Sequence, residues 1–248
     1  MLTGRQTEIL EYLKSKKHAK IGDIAGNIYV SETTVRRELA ELERMGLLQR
    51  EHGGAVFLEN SEDISIGVRQ IVNYQEKLAI AKMAEKNLPS FRTLFIDNSS
   101  TALMLAQRIG LRHRTVVTNG ITAAMQLGSS EDTTVNLVGG RLNHSTSSLI
   151  GGNAVLELGK MQFHLMICSC TSIGKGGVYE SSADQCDVKR AALMNSAYKV
   201  LLVDRTKFND RAMYRTARLS DFDAIYTDAP DELLEELREG GNVNIFNA

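Results

Sequence analysis

The sequence predicts an α/β protein in two parts: a small helical unit closed by a hairpin, then a larger, mostly parallel α/β domain covered by helices. Three observations carry this. The 248 residues, 43% of them hydrophobic, are long and apolar enough for about two cored domains. Apolar residues recur at helical spacing early in the chain, and the period changes near residue 58. From residue 64, short apolar runs alternate with helix-compatible stretches, the pattern of a sheet with crossover helices. The expected boundaries are residues 1–58, a linker and helix start at 59–75, and 76–248.

In chain order, Ile9, Leu10 and Leu13, then Ile21, Ile24 and Ala25, then Val35, Leu39 and Leu42 mark three short helices. Residues 47–57 read as two strands around a Gly53-Gly54 turn. A polar stretch, Glu59-Asn60-Ser61-Glu62-Asp63, follows. A helical segment is expected at 74–87. Apolar runs at 93–96, 115–117, 135–138, 165–167, 199–203 and 224–226 are expected strands. Stretches 102–109, 121–127, 187–198 and 231–238 are expected helices. Only Pro89 and Pro230 punctuate the chain, and there is no internal repeat.

Charge and cysteine content exclude several function classes. With 29 Lys+Arg against 30 Asp+Glu the net charge is -1, which fits neither a histone-like nor a polybasic membrane-surface protein. No apolar run approaches the roughly 20 residues that span a bilayer. The opening MLTGRQTEIL has no apolar signal core. Cys168, Cys170 and Cys186 are too few and too clustered to staple a fold of this size, so the expected location is the reducing cytoplasm.

Residues 21–25, a turn near 26–30 and a helix opening at Ser31 form a helix-turn-helix pattern, with Ser31 as its N-cap. If that helix buries Val35, Leu39 and Leu42, its opposite face carries Glu32, Thr33, Arg36 and Arg37, with Thr34 nearby. Recognition helices meet base edges with their first turns, where Arg pairs with guanine or phosphate and Thr meets a thymine methyl. The hairpin is then a wing whose Arg50 and His52 reach the DNA backbone or minor groove. Charge does not separate this from a solvated amphipathic helix, because residues 1–58 hold nine Lys/Arg and eight Asp/Glu, and 59–248 hold 20 and 22.

The string at 31–55 closely resembles the winged-helix signature of DeoR-type bacterial transcriptional regulators. The matching elements are Ser31, Thr34-Val35-Arg36-Arg37-Glu38-Leu39, Leu42-Glu43, Gly46-Leu47-Leu48-Gln49-Arg50 and His52-Gly53-Gly54-Ala55. Upstream, Arg5, Ile9, Ile21, Ile24 and Ala25 fall where such proteins place their first two helices. The resemblance implies operator DNA as a partner.

In open parallel sheets, ligands sit outside the carboxyl ends of strands. Polar residues cluster there: Asp97-Asn98-Ser99-Ser100-Thr101, Thr118-Asn119-Gly120, Gly139-Gly140 and Asp204-Arg205-Thr206-Lys207. Hydroxyls and amides suit phosphate and sugar hydroxyls, and Lys189 and Lys207 can supply charge for a phosphate. Singly, Asp97, Ser99 and Thr118 read more readily as helix caps and turns; their convergence at strand ends favours a pocket. The family resemblance continues here, in Asp97 to Thr101 (D-S-G-(S/T)-T), Val117-Thr118-Asn119, Gly139-Gly140, Lys189-Arg190 and Asp204 to Phe208. It implies a domain similar to ribose-5-phosphate isomerases in fold, sensing a phosphorylated sugar or related metabolite. Two departures bear on the ligand. Ser99, with Asn98 before it, replaces the usual loop glycine, and His164 and Cys168-Ser169-Cys170-Thr171 replace a more usual Asp and an apolar run.

Other motifs carry less. Cys168, Cys170 and His164 lack metal-site spacing. Ile173-Gly174-Lys175-Gly176-Gly177 lacks the trailing signature of a phosphate loop, and no GxGxxG occurs. Asp184 and Asp187 read as a solvated helix start, leaving Glu180 beside them without an assigned role. The expectation is therefore a cytoplasmic, homo-oligomeric repressor of a carbohydrate-utilisation operon, without metal, cofactor or membrane. The alternatives are a sugar-phosphate isomerase with an accessory DNA-binding domain and an interaction protein that binds no nucleic acid.

Overall fold

A computed structural model of the chain describes residues 3–44, 47–57, 66–209, 212–238 and 243–247. The expected boundary at 58, the polar stretch 59–63 and Gly46 lie outside these residues. The chain divides into two compact units, Met1–Val68 and Arg69–Ala248.

The smaller unit runs α1 (Gly4–Lys16), β1 (His18–Lys20), α2 (Ile21–Asn27), α3 (Glu32–Arg44), β2 (Leu48–Glu51) and β3 (Gly54–Phe57). A reciprocal cap opens α1: the Gln6 amide donates to Thr3 Oγ1 at 3.3 Å and the Thr3 amide to Gln6 Oε1 at 2.9 Å. Gln6 Nε2 also donates to Glu38 Oε2 at 2.9 Å, tying α1 to α3 beneath the surface. Ile9, Leu13, Ile24, Val35, Leu39 and Leu42 are fully buried and form the core of the unit. The three strands pair in the order β1-β3-β2. Strand β1 is an addition to the sequence reading, since three residues are too short to show a period. The turn is also displaced by one residue. His52 and Gly53 make it, with Gly53 at φ +81°, while Gly54 opens β3, where a Cβ would stand 2.6 Å from the Ala19 carbonyl of β1.

The short helix α4 (Ile66–Arg69) leads into α5 (Tyr74–Glu85), β4 (Thr93–Ile96), α6 (Ser100–Ala106), β5 (Arg114–Thr118), α7 (Ile121–Leu127) and β6 (Thr133–Leu137). A hairpin of β7 (Arg141–Asn143) and β8 (Ser148–Ile150) precedes α8 (Gly152–Leu158) and β9 (Phe163–Cys168). Then come β10 (Ser172–Gly174), β11 (Gly177–Glu180), α9 (Ala183–Met194), β12 (Ser196–Val203), β13 (Tyr214–Ala217), β14 (Ala224–Thr227), α10 (Asp231–Arg238) and β15 (Asn244–Asn247).

Seven strands form one sheet in the order β15-β14-β12-β9-β4-β5-β6, every adjacent pair parallel. The chain builds outward from β4 to β6, returns to lay β9 beside β4, then builds outward the other way. That reversal opens a crevice at the carboxyl ends of β4 and β9, where such sheets take their ligands. Alternate residues serve two cores: Phe95, Val117, Met166 and Leu201 pack with α8 and α9, while Leu94, Ile96, Ile167 and Leu202 pack with α5 and α6. Strands β10, β11 and β13 form a separate antiparallel sheet. Among the described residues, no helix is long and apolar enough to cross a membrane.

The expected helix at 187–198 is corrected to α9, which starts at Ala183 and ends at Met194. Asn195 Nδ2 and Ser196 Oγ donate to the carbonyls of Ala191 and Ala192, closing the helix, and Tyr198 pairs with Leu165 in the sheet.

Burial alone would raise the Glu38 carboxyl, but hydrogen bonds from Arg37 and Gln6 and the charges of Arg37 and Arg5 hold it below its ordinary value. A depressed carboxyl stabilises the fold above its unfolded pKa, and that contribution is lost as pH falls through the folded value. Glu38→Gln is expected to cost the smaller unit about 1–2 kcal/mol at pH 7. Thermal unfolding of both proteins at pH 7 and below pH 4 is expected to show this gap closing on acidification.

Candidate functional site

The smaller unit presents one polar helix face. Ser31 Oγ accepts from the Thr34 amide at 3.3 Å and lies 3.0 Å from Thr34 Oγ1, capping α3. With Val35, Leu39 and Leu42 inward, Glu32, Thr33, Arg36 and Arg37 are exposed, and Thr34 is half-buried. Arg36 pairs with Glu32 at 2.7 Å and Arg37 with Glu38 at 3.1 Å. Exposed pairs of this kind contribute at most about 1 kcal/mol, so the Arg36 guanidinium is readily given to a stronger anion. Arg50 is held to α3: its amide donates to Glu43 Oε1 at 2.8 Å and its Nε lies 3.0 Å from Glu43 Oε2. His52 is exposed on the turn. Tyr29 is a residue that sequence reasoning missed. It sits just before α3, between Ile28 and Val30, at φ 54° and is 94% exposed.

In the larger unit the crevice between β4 and β9 is floored by a buried charge cluster. Lys189 of α9, 5% exposed, donates to the Ser169 carbonyl at 2.6 Å and to Glu180 Oε1, and stands 3.0 Å from Asp97 Oδ2. Asp97, at the end of β4, also accepts from the Ser169 amide at 3.2 Å and, through Oδ1, from the Ser99 amide at 3.0 Å. Glu180 completes its bonding with the Thr171 hydroxyl at 2.8 Å. Burial would push the Lys189 ammonium down, but the Glu180 and Asp97 carboxylates more than offset it and hold it above the usual lysine value. The Lys189 charge is thus engaged by protein carboxylates, and Glu180, left without a role in the sequence reading, proves to be one of them.

The remaining strand-end residues surround this floor. Ser99 Oγ caps α6 by accepting from the Ala102 amide at 3.2 Å, and Asn98, Ser100 and Thr101 are buried beside it. Gly120 follows the Thr118-Asn119 pair; a Cβ there would lie 3.0 Å from Asn98 Cα, so the two loops touch. Thr118 Oγ1 accepts from the Gly120 amide at 3.0 Å. Asn119 Nδ2 donates to Leu149 O at 3.3 Å and Gln185 Oε1 at 3.4 Å, whereas its buried Oδ1 has no partner among the described residues. Gln185 continues the chain to Ser148 Oγ at 2.7 Å and Thr146 Oγ1 at 3.2 Å.

Gly139 and Gly140 are exposed on the loop leading to β7. The Gly139 amide donates to Glu157 Oε2 at 2.7 Å, and Gly140, at φ +149°, has no room for a Cβ against Ile150 O. Asp204 is buried; its Oδ1 accepts from the Thr206 amide at 3.1 Å and from the Thr206 hydroxyl. Lys207, half-buried, has no ion pair with a described residue.

Among the described residues, no group of three His, Cys, Asp or Glu side chains could hold a metal. Cys168, Cys170 and Cys186 are free and buried. Burial and the nearby Glu180 push the Cys170 thiol up to about 12, which keeps it protonated and unreactive at neutral pH. His164 Nδ1 lies 2.7 Å from Thr93 Oγ1 at the opposite, amino end of the sheet, away from the crevice.

Two family models match the chain: the DeoR-like helix-turn-helix domain over residues 5–61 and the DeoR C terminal sensor domain over residues 72–229. The chain is 31% identical over 231 residues to the glycerol-3-phosphate regulon repressor of Escherichia coli (strain K12), covering 92% of this chain and 91% of the relative. It is 32% identical over 234 residues to the lactose phosphotransferase system repressor of Staphylococcus aureus (strain NCTC 8325 / PS 47), covering 92% of each. Among solved structures, ribose 5-phosphate isomerase A from Methanocaldococcus jannaschii aligns over 55% of each chain, at 14% identity and a TM-score of 0.39.

Removing the Lys189 ammonium leaves two buried carboxylates facing one another. Lys189→Met is expected to destabilise the larger unit by about 3–5 kcal/mol, read as a lowered denaturant midpoint for its transition. Lys207→Met is expected to leave that midpoint within about 0.5 kcal/mol of wild type.

Proposed function

The chain belongs to the DeoR family of bacterial transcriptional regulators, and on that premise we propose that it is a DNA-binding repressor of a carbohydrate-utilisation operon, controlled by a phosphorylated sugar or related metabolite. The single observation that carries the DNA half is the exposed first-turn face of α3, which gathers Glu32, Thr33, Arg36 and Arg37 around a Ser31-capped start. Arg36 and Arg37 read bases or hold phosphates, Thr33 and Thr34 meet the adjacent backbone or a thymine methyl, and Arg50 and His52 of the wing reach the flanking groove. A balanced overall charge suits this role, because affinity then rests on placed contacts rather than on bulk attraction to any DNA.

The effector half rests on the crevice between β4 and β9 and on the relatives' names, one for a glycerol-3-phosphate regulon and one for a lactose phosphotransferase system. The hydroxyls and amides of residues 98–101, together with Thr118, Asn119 and Lys207, suit a phosphate and several sugar hydroxyls. Asp97 and Lys189 shape the floor rather than offering free charge, and Asp204 shapes the loop that carries Lys207. The larger unit then acts as a sensor and not as an isomerase. A homo-oligomer in the cytoplasm presents paired recognition helices to operator half-sites, and the effector shifts operator affinity by preferring one quaternary arrangement.

Selection from random duplexes identifies a bound sequence, and fluorescence anisotropy on that duplex tests the reading. Arg36→Ala is expected to weaken binding by about 1–3 kcal/mol without lowering the unfolding midpoint, and Arg37→Ala to weaken it by a similar amount while also removing the support that Arg37 gives to Glu38. Unchanged operator affinity in the double variant excludes α3 as the reading helix. Turnover of a pentose or hexose phosphate that depends on Glu180 establishes the isomerase alternative instead.

A further inference from the structure

The buried charge cluster leaves open which cation meets an incoming anion. Lys189 is already bonded to Glu180 and the Ser169 carbonyl and lies 3.0 Å from Asp97. Arg69, the first residue of the larger unit, is differently placed. Its guanidinium is half-buried and, among the described residues, makes one long hydrogen bond, from Nη2 to the Thr146 carbonyl at 3.4 Å, and no ion pair. A guanidinium has five donors, and drawing it out of water with so few of them answered is unfavourable.

Three contacts fix its position. The Arg69 carbonyl accepts from the buried ammonium of Lys77, which also holds the Val72 carbonyl at 2.7 Å, so the backbone that carries Arg69 is pinned. Asn73 Nδ2 donates to Asp204 Oδ1 and Thr206 Oγ1, each at 3.3 Å, tying this turn to the loop after β12 that bears Lys207. Thr146, which receives the guanidinium, is joined through Gln185 to Asn119 at the end of β5. Arg69 therefore lies against the β7-β8 hairpin, at the start of a turn that is tied through Asn73 to the loop after β12, and within the fields of Asp97 and Glu180, which counter the lowering of its pKa by burial.

Opposite in character, Asn119 Oδ1 is a buried acceptor with no partner among the described residues. An under-bonded guanidinium and an orphaned acceptor, linked through Thr146 and Gln185, call for a ligand that carries an anion and a hydroxyl donor. We propose that Arg69 is the anion-binding residue of the sensor, pairing bidentately with the phosphate monoester of an effector whose hydroxyl donates to Asn119 Oδ1. This rests on the phosphorylated-sugar reading and specifies the residue that holds the phosphate. A planar guanidinium matches two phosphate oxygens in a way that the single ammonium of Lys207 cannot.

Calorimetric titration of the full chain with ribose 5-phosphate, fructose 6-phosphate, glycerol 3-phosphate and inorganic phosphate, with phosphate-free ribose as control, tests this. For the probe that wild type binds best, Arg69→Gln is expected to weaken affinity at least tenfold and Arg69→Lys by less. The ligand-free Tm of Arg69→Gln is expected to equal or exceed that of wild type, because an under-bonded cation has been removed. Equal affinity in wild type and Arg69→Gln overturns the role of Arg69 and leaves the sugar-phosphate sensor standing. A lowered ligand-free Tm in both variants makes Arg69 a structural counter-charge and also overturns it. Failure of wild type to bind any phosphorylated probe removes the effector class, and this inference with it.

Discussion

One buried ammonium organises the larger unit. Lys189 reaches from α9 to the carboxyl ends of β4 and β9, the two strands between which the chain reverses its direction of building, and bonds or pairs there with Asp97, Glu180 and the Ser169 carbonyl. Two carboxylates and a cation out of water are favourable only as a complete set, since any one of them left alone carries several kcal/mol of desolvation. The set therefore fixes the loops around it: Asp97 orients the Ser99 and Ser169 amides, and Glu180 orients Thr171. A crevice that every open parallel sheet possesses becomes a polar site of defined shape.

The smaller unit solves a different problem, which is to hold a polar helix face steady while leaving it free. The buried Gln6-Glu38 contact and the capped start of α1 anchor α3 from beneath, and Glu43 holds the wing strand to its far end. On the exposed face itself, Arg36 is held only by a weak surface pair with Glu32. Rigidity is supplied from behind, so the side chains in front remain available, as selective contact with a duplex requires.

Much of the architecture was legible because buried parallel strands are continuous apolar runs, as in Val200-Leu201-Leu202-Val203, and because α3 keeps its apolar residues at helical spacing. What escaped was short or decided at a distance. Strand β1 has no period to show, and α9 ends earlier than its apolar pattern suggested because Asn195 and Ser196 turn back onto its carbonyls. Lys189 and Lys207 look alike in sequence as strand-end cations. The folding of Asp97 and Glu180 onto Lys189 separates them, and Glu180 carried no assigned role in the sequence. Arg69 and Tyr29 lie outside the strand-end and first-turn positions in which function was sought.

The central claim is that one chain couples occupancy of the sensor crevice to occupancy of DNA. Linkage makes that claim reciprocal: whatever factor the effector applies to operator affinity, the operator must apply to effector affinity. The most direct measurement is the dissociation constant of the best-bound sugar phosphate for the free full-length protein and for the same protein saturated with its operator duplex. The two values are expected to differ, by the factor by which the sugar phosphate changes operator binding. Identical values with and without DNA would contradict it, leaving two units that share a chain and no equilibrium.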